Sequence, residues 1–191
     1  MASSKSGKAN PDAIDLLMED HAKVRKLFKS FEKIKDGDDE EALEEIVTTA
    51  CTELFIHSML EKEIFYPAIR AQDDEELNEL LAEAEVEHES VDTLVEKLST
   101  VQLEDEMYKA NFTVLAEYVE HHVKEEEDEM FPKVRKLKDL DLDQLAEEMK
   151  ARKEEMMSEI MATEGEQDEE EMAQPVGGKG KSKGSGAGAD R

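Results

Sequence analysis

An all-α fold, an up-down-up-down antiparallel four-helix bundle with an additional C-terminal helix and disordered tails, is predicted by three features of this 191-residue chain. Apolar residues make up 38% and charged residues 39%, a balance that favours helices burying one stripe over buried sheets. Nine glycines and four prolines leave long stretches unbroken. Four apolar stripes at helical spacing follow one another with short connections, and such helices pack most simply with their stripes facing inward.

Each element can be justified in turn. Residues 1–10 are polar and small and read as a disordered N-terminal segment, and the bundle is expected over 11–138. Asn10 reads as the first N-cap with Pro11 in the first turn. Ile14, Leu17, Met18, His21, Val24, Phe28, Phe31 and Ile34 then share a stripe that stops at Asp36-Gly37-Asp38. The second stripe, from Leu43 through Ile46, Val47, Ala50, Leu54, His57, Glu61 and Ile64, runs to Pro67, where the helix must kink or soon finish. Asp73-Asp74 opens the third helix, with Leu77, Leu80, Leu81, Ala84, His88, Val91, Leu94, Val95 and Leu98. After a break at Ser99 to Gln102, the fourth carries Asn111, Leu115, Tyr118, Val119, His122, Glu126 and Met130 before Pro132. An extra helix is expected over 139–163, on Leu142, Leu145, Met149, Met156 and Ile160. The acidic, then Gly/Lys/Ser-rich segment 164–191 has too little apolar content to fold.

Bulk composition excludes several functions. A net charge of −27 repels phosphate backbones and anionic lipid surfaces, so no nucleic-acid partner is expected. No apolar stretch approaches the ~18 residues of a membrane span, and the lysines of the first residues have no apolar segment behind them. Cys51 is the single cysteine, so the chain cannot form an internal disulfide or a multi-cysteine zinc site. A cytoplasmic location is expected.

The chemistry lies in a repeat. His57 and Glu61 in HSMLEKEIFYP are answered 65 residues later by His122 and Glu126 in HVKEEEDEMFP, and Pro67 and Pro132 follow at the same offset. One further histidine precedes each copy, His21 and His88, 67 residues apart. The chain has five histidines, and four of them fall on apolar stripes in this pattern. An isolated carboxylate in such a place costs several kcal/mol unless it is protonated, paired or bound to a metal. Lysine and arginine are largely absent from the inward positions, which leaves an ion as the compensating charge. A histidine and glutamate four apart project from one helix face about 6 Å apart along the axis, close enough to grip one metal or two adjacent ones. Four imidazoles and two glutamates that each span both positions give every metal two nitrogens and two oxygens, with room for a bridging oxide, hydroxide or water and an open site. Mixed imidazole and carboxylate donors with open positions suit non-haem iron.

The order H…H-x-x-x-E…H…H-x-x-x-E, with F/Y-P or F-P closing each half, resembles the hemerythrin-like, or HHE cation-binding, domain family over about Asp12 to Lys138. The resemblance implies a four-helix bundle with two non-haem iron ions (Fe2+/Fe3+) on His21, His57, Glu61, His88, His122 and Glu126. It implies binding or sensing of dioxygen, peroxide or nitric oxide; iron storage or sensing, and peroxide disproportionation in oxidative-stress defence, are the alternatives. Oxygen-carrying members use a fifth histidine on the third helix, where this chain offers Ala84 and Asp92, so a six-ligand site is implied. No separate acid, base or nucleophile stands out, which favours a binding protein over a dedicated enzyme. Tyr118 is expected in the core or facing the metals, and His121, about 100° off the stripe, exposed or behind the ligands. Cys51 and the methionines Met18, Met130 and Met149 are read as packing residues, and Glu126 as the one inward member of Glu125 to Glu129.

Overall fold

A computed structural model describes residues 10–173, all of whose regular elements are helical. α1 (Ala13–Ile34) and α2 (Glu40–Leu60) form one antiparallel hairpin, and α4 (Glu75–Thr100) and α5 (Glu106–Glu125) the other. α1 also meets α5, and α2 meets α4, which closes the ring of four. Two units are distinguished: one ends at Met156 and holds the bundle with the start of α7 (Leu142–Ala173); the second begins at Met157 and, among the described residues, is the remainder of α7.

The caps differ from the sequence expectation at the start. Asp12, not Asn10, caps α1, accepting from the Asp15 N–H at 2.9 Å while Asp15 accepts from the Asp12 N–H at 3.3 Å. This reciprocal pair satisfies two otherwise orphaned donors. Asp39, Asp74 and Asp105 cap α2, α4 and α5 in the same side-chain-to-backbone manner. Asp73, with φ of 55°, takes the left-handed turn into α4, a conformation that aspartate tolerates better than most residues.

Neither proline ends its helix. A π-helical turn, Glu61–Phe65, joins α2 to α3 (Tyr66–Arg70), and a second, Glu126–Met130, joins α5 to α6 (Phe131–Val134). Pro67 and Pro132 each sit one residue into the helix that follows, so the wide turn absorbs the approach to a residue that cannot donate a backbone hydrogen bond. The extra residue also rotates the buried face. Phe65, Tyr66 and Ile69 are buried while Ile64 is only half-buried, and Met130, Phe131 and Val134 repeat the shift in the second half.

One end of the interior is filled by Phe28, Phe31 and Phe112, with ring centroids 4.5 Å apart for Phe31 and Phe112 and 5.6 Å for Phe28 and Phe112. Burying each such ring contributes on the order of 1.5–3 kcal/mol, which lets the bundle carry polar groups at the other end. Met130 and Met149 are core residues as expected, but Met18 is 43% exposed and is not. Leu145, Ala146, Met149 and Met156 are buried on α7 among the residues whose burial is described. The expected end of that helix at 163 is too early: it continues through the acidic run to Ala173, a stretch rich in the good helix formers Glu, Met and Ala and free of proline until Pro175. The N-terminal segment before Asn10 and the Gly/Lys/Ser-rich tail lie outside the described residues. Among the described residues no helix is long and apolar enough to cross a membrane.

Candidate metal centre

Each of α1, α2, α4 and α5 contributes one histidine to a common interior point, and the two π-helical turns begin at the two glutamates. Glu61 is fully buried and Glu126 is 1% exposed, and the four histidines are all buried. Two donor groups result. In the first, His21 Nε2 lies 3.2 Å from His57 Nε2 and 3.2 Å from Glu126 Oε2, and His57 Nε2 lies 3.3 Å from Glu61 Oε1. In the second, His88 Nε2 lies 2.9 Å from His122 Nε2 and 3.3 Å from Glu61 Oε2. Glu61 therefore divides its two oxygens between the groups.

Glu126 does not, contrary to the symmetrical bridging that the sequence suggested. Its Oε2 faces both His21 and His122, the latter at 3.5 Å, while its Oε1 accepts a hydrogen bond from Tyr66 Oη at 3.0 Å. Tyr66 Oη is also 3.5 Å from His88 Nε2. Burial raises the Tyr66 hydroxyl well above its ordinary pKa, and the charges of Glu126 and Glu61 add to this, so the hydroxyl stays a donor. Phe131 occupies the equivalent place in the second half. It stacks on His21 at 5.8 Å as Tyr66 packs on His88 at 5.7 Å, each ring covering the first histidine of the other half.

The outward nitrogens are held as well. His21 Nδ1 meets Glu127 Oε1 at 3.0 Å, His122 Nδ1 meets Glu87 Oε2 at 2.8 Å, and His88 Nδ1 meets Ser58 Oγ at 3.2 Å. His57 Nδ1 faces Asp20 Oδ2 at 3.8 Å, beyond hydrogen-bond range. Partners on Nδ1 fix the tautomer that leaves Nε2 free to ligate, and they raise its basicity. Asp20 precedes His21 and serves His57; Glu87 precedes His88 and serves His122. None of these partners was singled out from sequence, although the acid-histidine dipeptide occurs in both halves. Glu127 is a correction to the solvated-face reading of Glu125 to Glu129: it is half-buried and bonds both His21 and Arg25.

The donor set fits a metal. Donors at right angles around one ion at about 2.1 Å stand about 3.0 Å apart, close to the Nε2 spacings of both histidine pairs. Glu61 Oε1 and Oε2, Glu126 Oε2 and His57 Nδ1 are buried without a hydrogen-bond partner. Every ion-pair neighbour of Glu61 and Glu126 among the described residues is a histidine. Without a metal, that arrangement favours charge on His57 and His122. Burial lowers His57, but Glu61 beside it, helped by Asp20 and Glu126, outweighs this and raises it to about 10. Burial likewise raises Glu61, and His57 and His88 outweigh it and hold the carboxyl well below its usual range. His122 is raised despite burial, chiefly by Glu126 and Glu87.

Beside the histidines lies a cavity with about 20 Å³ open to the centre of a water-sized molecule, walled on the other side by Val24, Leu54, Val91 and Val119. That is room for a water or a diatomic molecule and little more. Tyr118 is 48% exposed and belongs neither to the core nor to the centre, so both expectations for it are overturned. His121 is exposed and lies within 3.5 Å of Glu87 and Glu125. Cys51 packs half-buried at the edge of the core, where burial pushes its thiol up to about 11.

Comparison with known proteins agrees with the fold and with a cation-binding domain. The sequence profile of the family described as "Hemerythrin HHE cation binding domain" matches residues 12–134. A crystal structure of a hemerythrin HHE cation binding domain-containing protein from Mycobacterium kansasii shares the fold with a TM-score of 0.65 and 24% identity, covering 79% of this chain and 90% of that one. No curated protein matches the chain.

Proposed function

Since the chain belongs to the hemerythrin HHE cation-binding domain family, we propose that its six buried donors hold two non-haem iron ions at a centre that binds or senses dioxygen, peroxide or nitric oxide. On this reading His21, His57, Glu61 and Glu126 serve one ion, and His88, His122 and the second oxygen of Glu61 the other. The observation that carries the choice of ligand is the small valine-lined cavity against the histidines, which suits a guest of about two heavy atoms and excludes a bulky organic substrate. Bound iron supplies reversible one-electron chemistry and Lewis acidity at an open position.

The chain's own residues supply the rest. The imidazoles fix the two positions, and Glu61 sets their separation. Tyr66 keeps Glu126 oriented and offers a proton donor next to the second position. The valines and the Tyr66 and Phe131 rings that pack on the histidines exclude bulk water. The chain's charge of −27 makes a nucleic-acid partner a poor fit, and its single cysteine suits a reducing cytoplasm.

Ferrous protein prepared without oxygen and then exposed to it tests the proposal by optical spectroscopy. Charge-transfer absorption that appears with oxygen and reverses on its removal is expected for binding or sensing. Oxidation that only consumes added peroxide indicates turnover instead, and iron uptake with no optical response to any of the three ligands rules the proposed function out.

A further inference from the structure

We propose that His121, Glu125 and Glu87 form a third divalent-cation site at the bundle surface, through which ions reach the buried centre; this rests on the two-ion reading above. The three residues present donor atoms that all lie within 4.8 Å of one another. His121 and Glu125 repeat the H-x-x-x-E spacing one residue before His122 and Glu126, so the same helix offers one pair inward and one pair outward. His121 Nε2 stands 3.5 Å from Glu87 Oε1 and 3.4 Å from Glu125 Oε1, outside the usual hydrogen-bond range, so the donors converge without satisfying one another. An imidazole with two carboxylates suits a first-row divalent cation.

Glu87 links the two sites. One of its oxygens faces His121, and the other accepts from His122 Nδ1 at 2.8 Å. Behind the triad lies a narrow cavity lined by Ala84, Glu87, Glu125, His122 and Glu126 together with the apolar Leu80 and Met130. Glu126 is 1% exposed and its Oε2 has no hydrogen-bond partner. A cation held by the exposed His121, which is 64% accessible, thus has oxygen donors on one side and, beyond them, a buried carboxylate oxygen without a hydrogen-bond partner. Ala84 adds little bulk to the wall between. Two carboxylates at the mouth concentrate cations there, and the exposure of the imidazole keeps binding weak enough to release them.

Uptake of Co2+ by the full-length, metal-stripped chain, followed by visible absorption and an equilibrium count of bound ions, tests this. The wild-type chain is expected to take up an ion at each of the three donor groups. His121→Ala and Glu125→Gln, both surface changes checked for folding by circular dichroism, are expected to lose the weakest ion and to fill the buried pair about tenfold more slowly, the lower end of charge-focused rate effects. Filling at the wild-type rate in both variants overturns the proposal whatever the count. If only the buried pair fills and the variants match wild type, the centre stands and the surface site alone falls, whereas a chain that takes up no Co2+ removes both.

Discussion

Replacing Tyr66 with phenylalanine isolates one hydrogen bond at the heart of the centre. Tyr66 is 1% exposed, and its hydroxyl donates to Glu126 Oε1 at 3.0 Å. The other oxygen of Glu126 has no hydrogen-bond partner, so the change strips a buried carboxylate of the only hydrogen bond recorded for it among the described residues. A hydrogen bond to a charged group contributes about 1.5–3 kcal/mol, and the ring that packs on His88 is retained. The metal-free variant should therefore lose about 2 kcal/mol, read as a fall in melting temperature of about 4–8 °C for a chain of this size. With metal present, a freed Glu126 should weaken binding by about 10–100-fold. Because Phe131 already fills the equivalent position, steric disruption is not a competing explanation. Urea and thermal denaturation by circular dichroism, paired with a metal titration, measure both quantities. A loss below about 0.5 kcal/mol with unchanged metal affinity would refute the role assigned to Tyr66.

Other consequences follow from the same geometry. Glu61→Gln, which leaves one carbonyl oxygen where two carboxylate oxygens served both groups, should reduce bound iron by at least one ion per chain with the bundle intact, as seen by elemental analysis beside circular dichroism. Acidity should act oppositely on the two forms. His57, raised to about 10, stabilises the metal-free chain fully below its ordinary 6.5 and loses that contribution as pH climbs through about 10. Glu61, held well below 4.5, contributes above that value and loses its contribution as pH falls through its lowered folded value. Metal binding needs neutral imidazoles, so the melting-temperature gain on adding metal should grow as pH climbs toward the value of about 10 for His57, and a flat or falling gain contradicts the ligand set. Lys153→Ala removes the 2.5 Å contact from α7 to Asp20, the carboxylate that faces His57; a loss of about 1 kcal/mol or less is expected in denaturation, since the lysine is partly exposed.

The placement of the four histidines and two glutamates was legible because periodicity is a statement about faces, and all six fall on stripes set by neighbouring Leu, Val and Phe. What failed marks where periodicity stops applying. Past Glu61 and Glu126 the π-helical turns rotate the register, so Phe65, Tyr66 and Glu127 could not be found by counting in threes and fours, and Ile64 was assigned inward. Tyr118 lay on the counted stripe yet points to solvent, since a stripe says nothing of how wide the buried face of α5 is. The carboxylates that hold the outward nitrogens, Asp20 and Glu87, were hidden among 51 acidic residues. Among those acids, their position directly before a histidine is shared by Glu120 alone. The acidic run after residue 163 was read by its lack of apolar content, whereas the helix runs on to Ala173 through a glutamate-rich stretch.

Anomalous diffraction at the iron edge, from crystals of the iron-loaded chain, addresses the donor assignment most directly. Two peaks are predicted, one among His21, His57, Glu61 and Glu126 and one among Glu61, His88 and His122. Iron found only at surface carboxylates, with the interior empty, would contradict it.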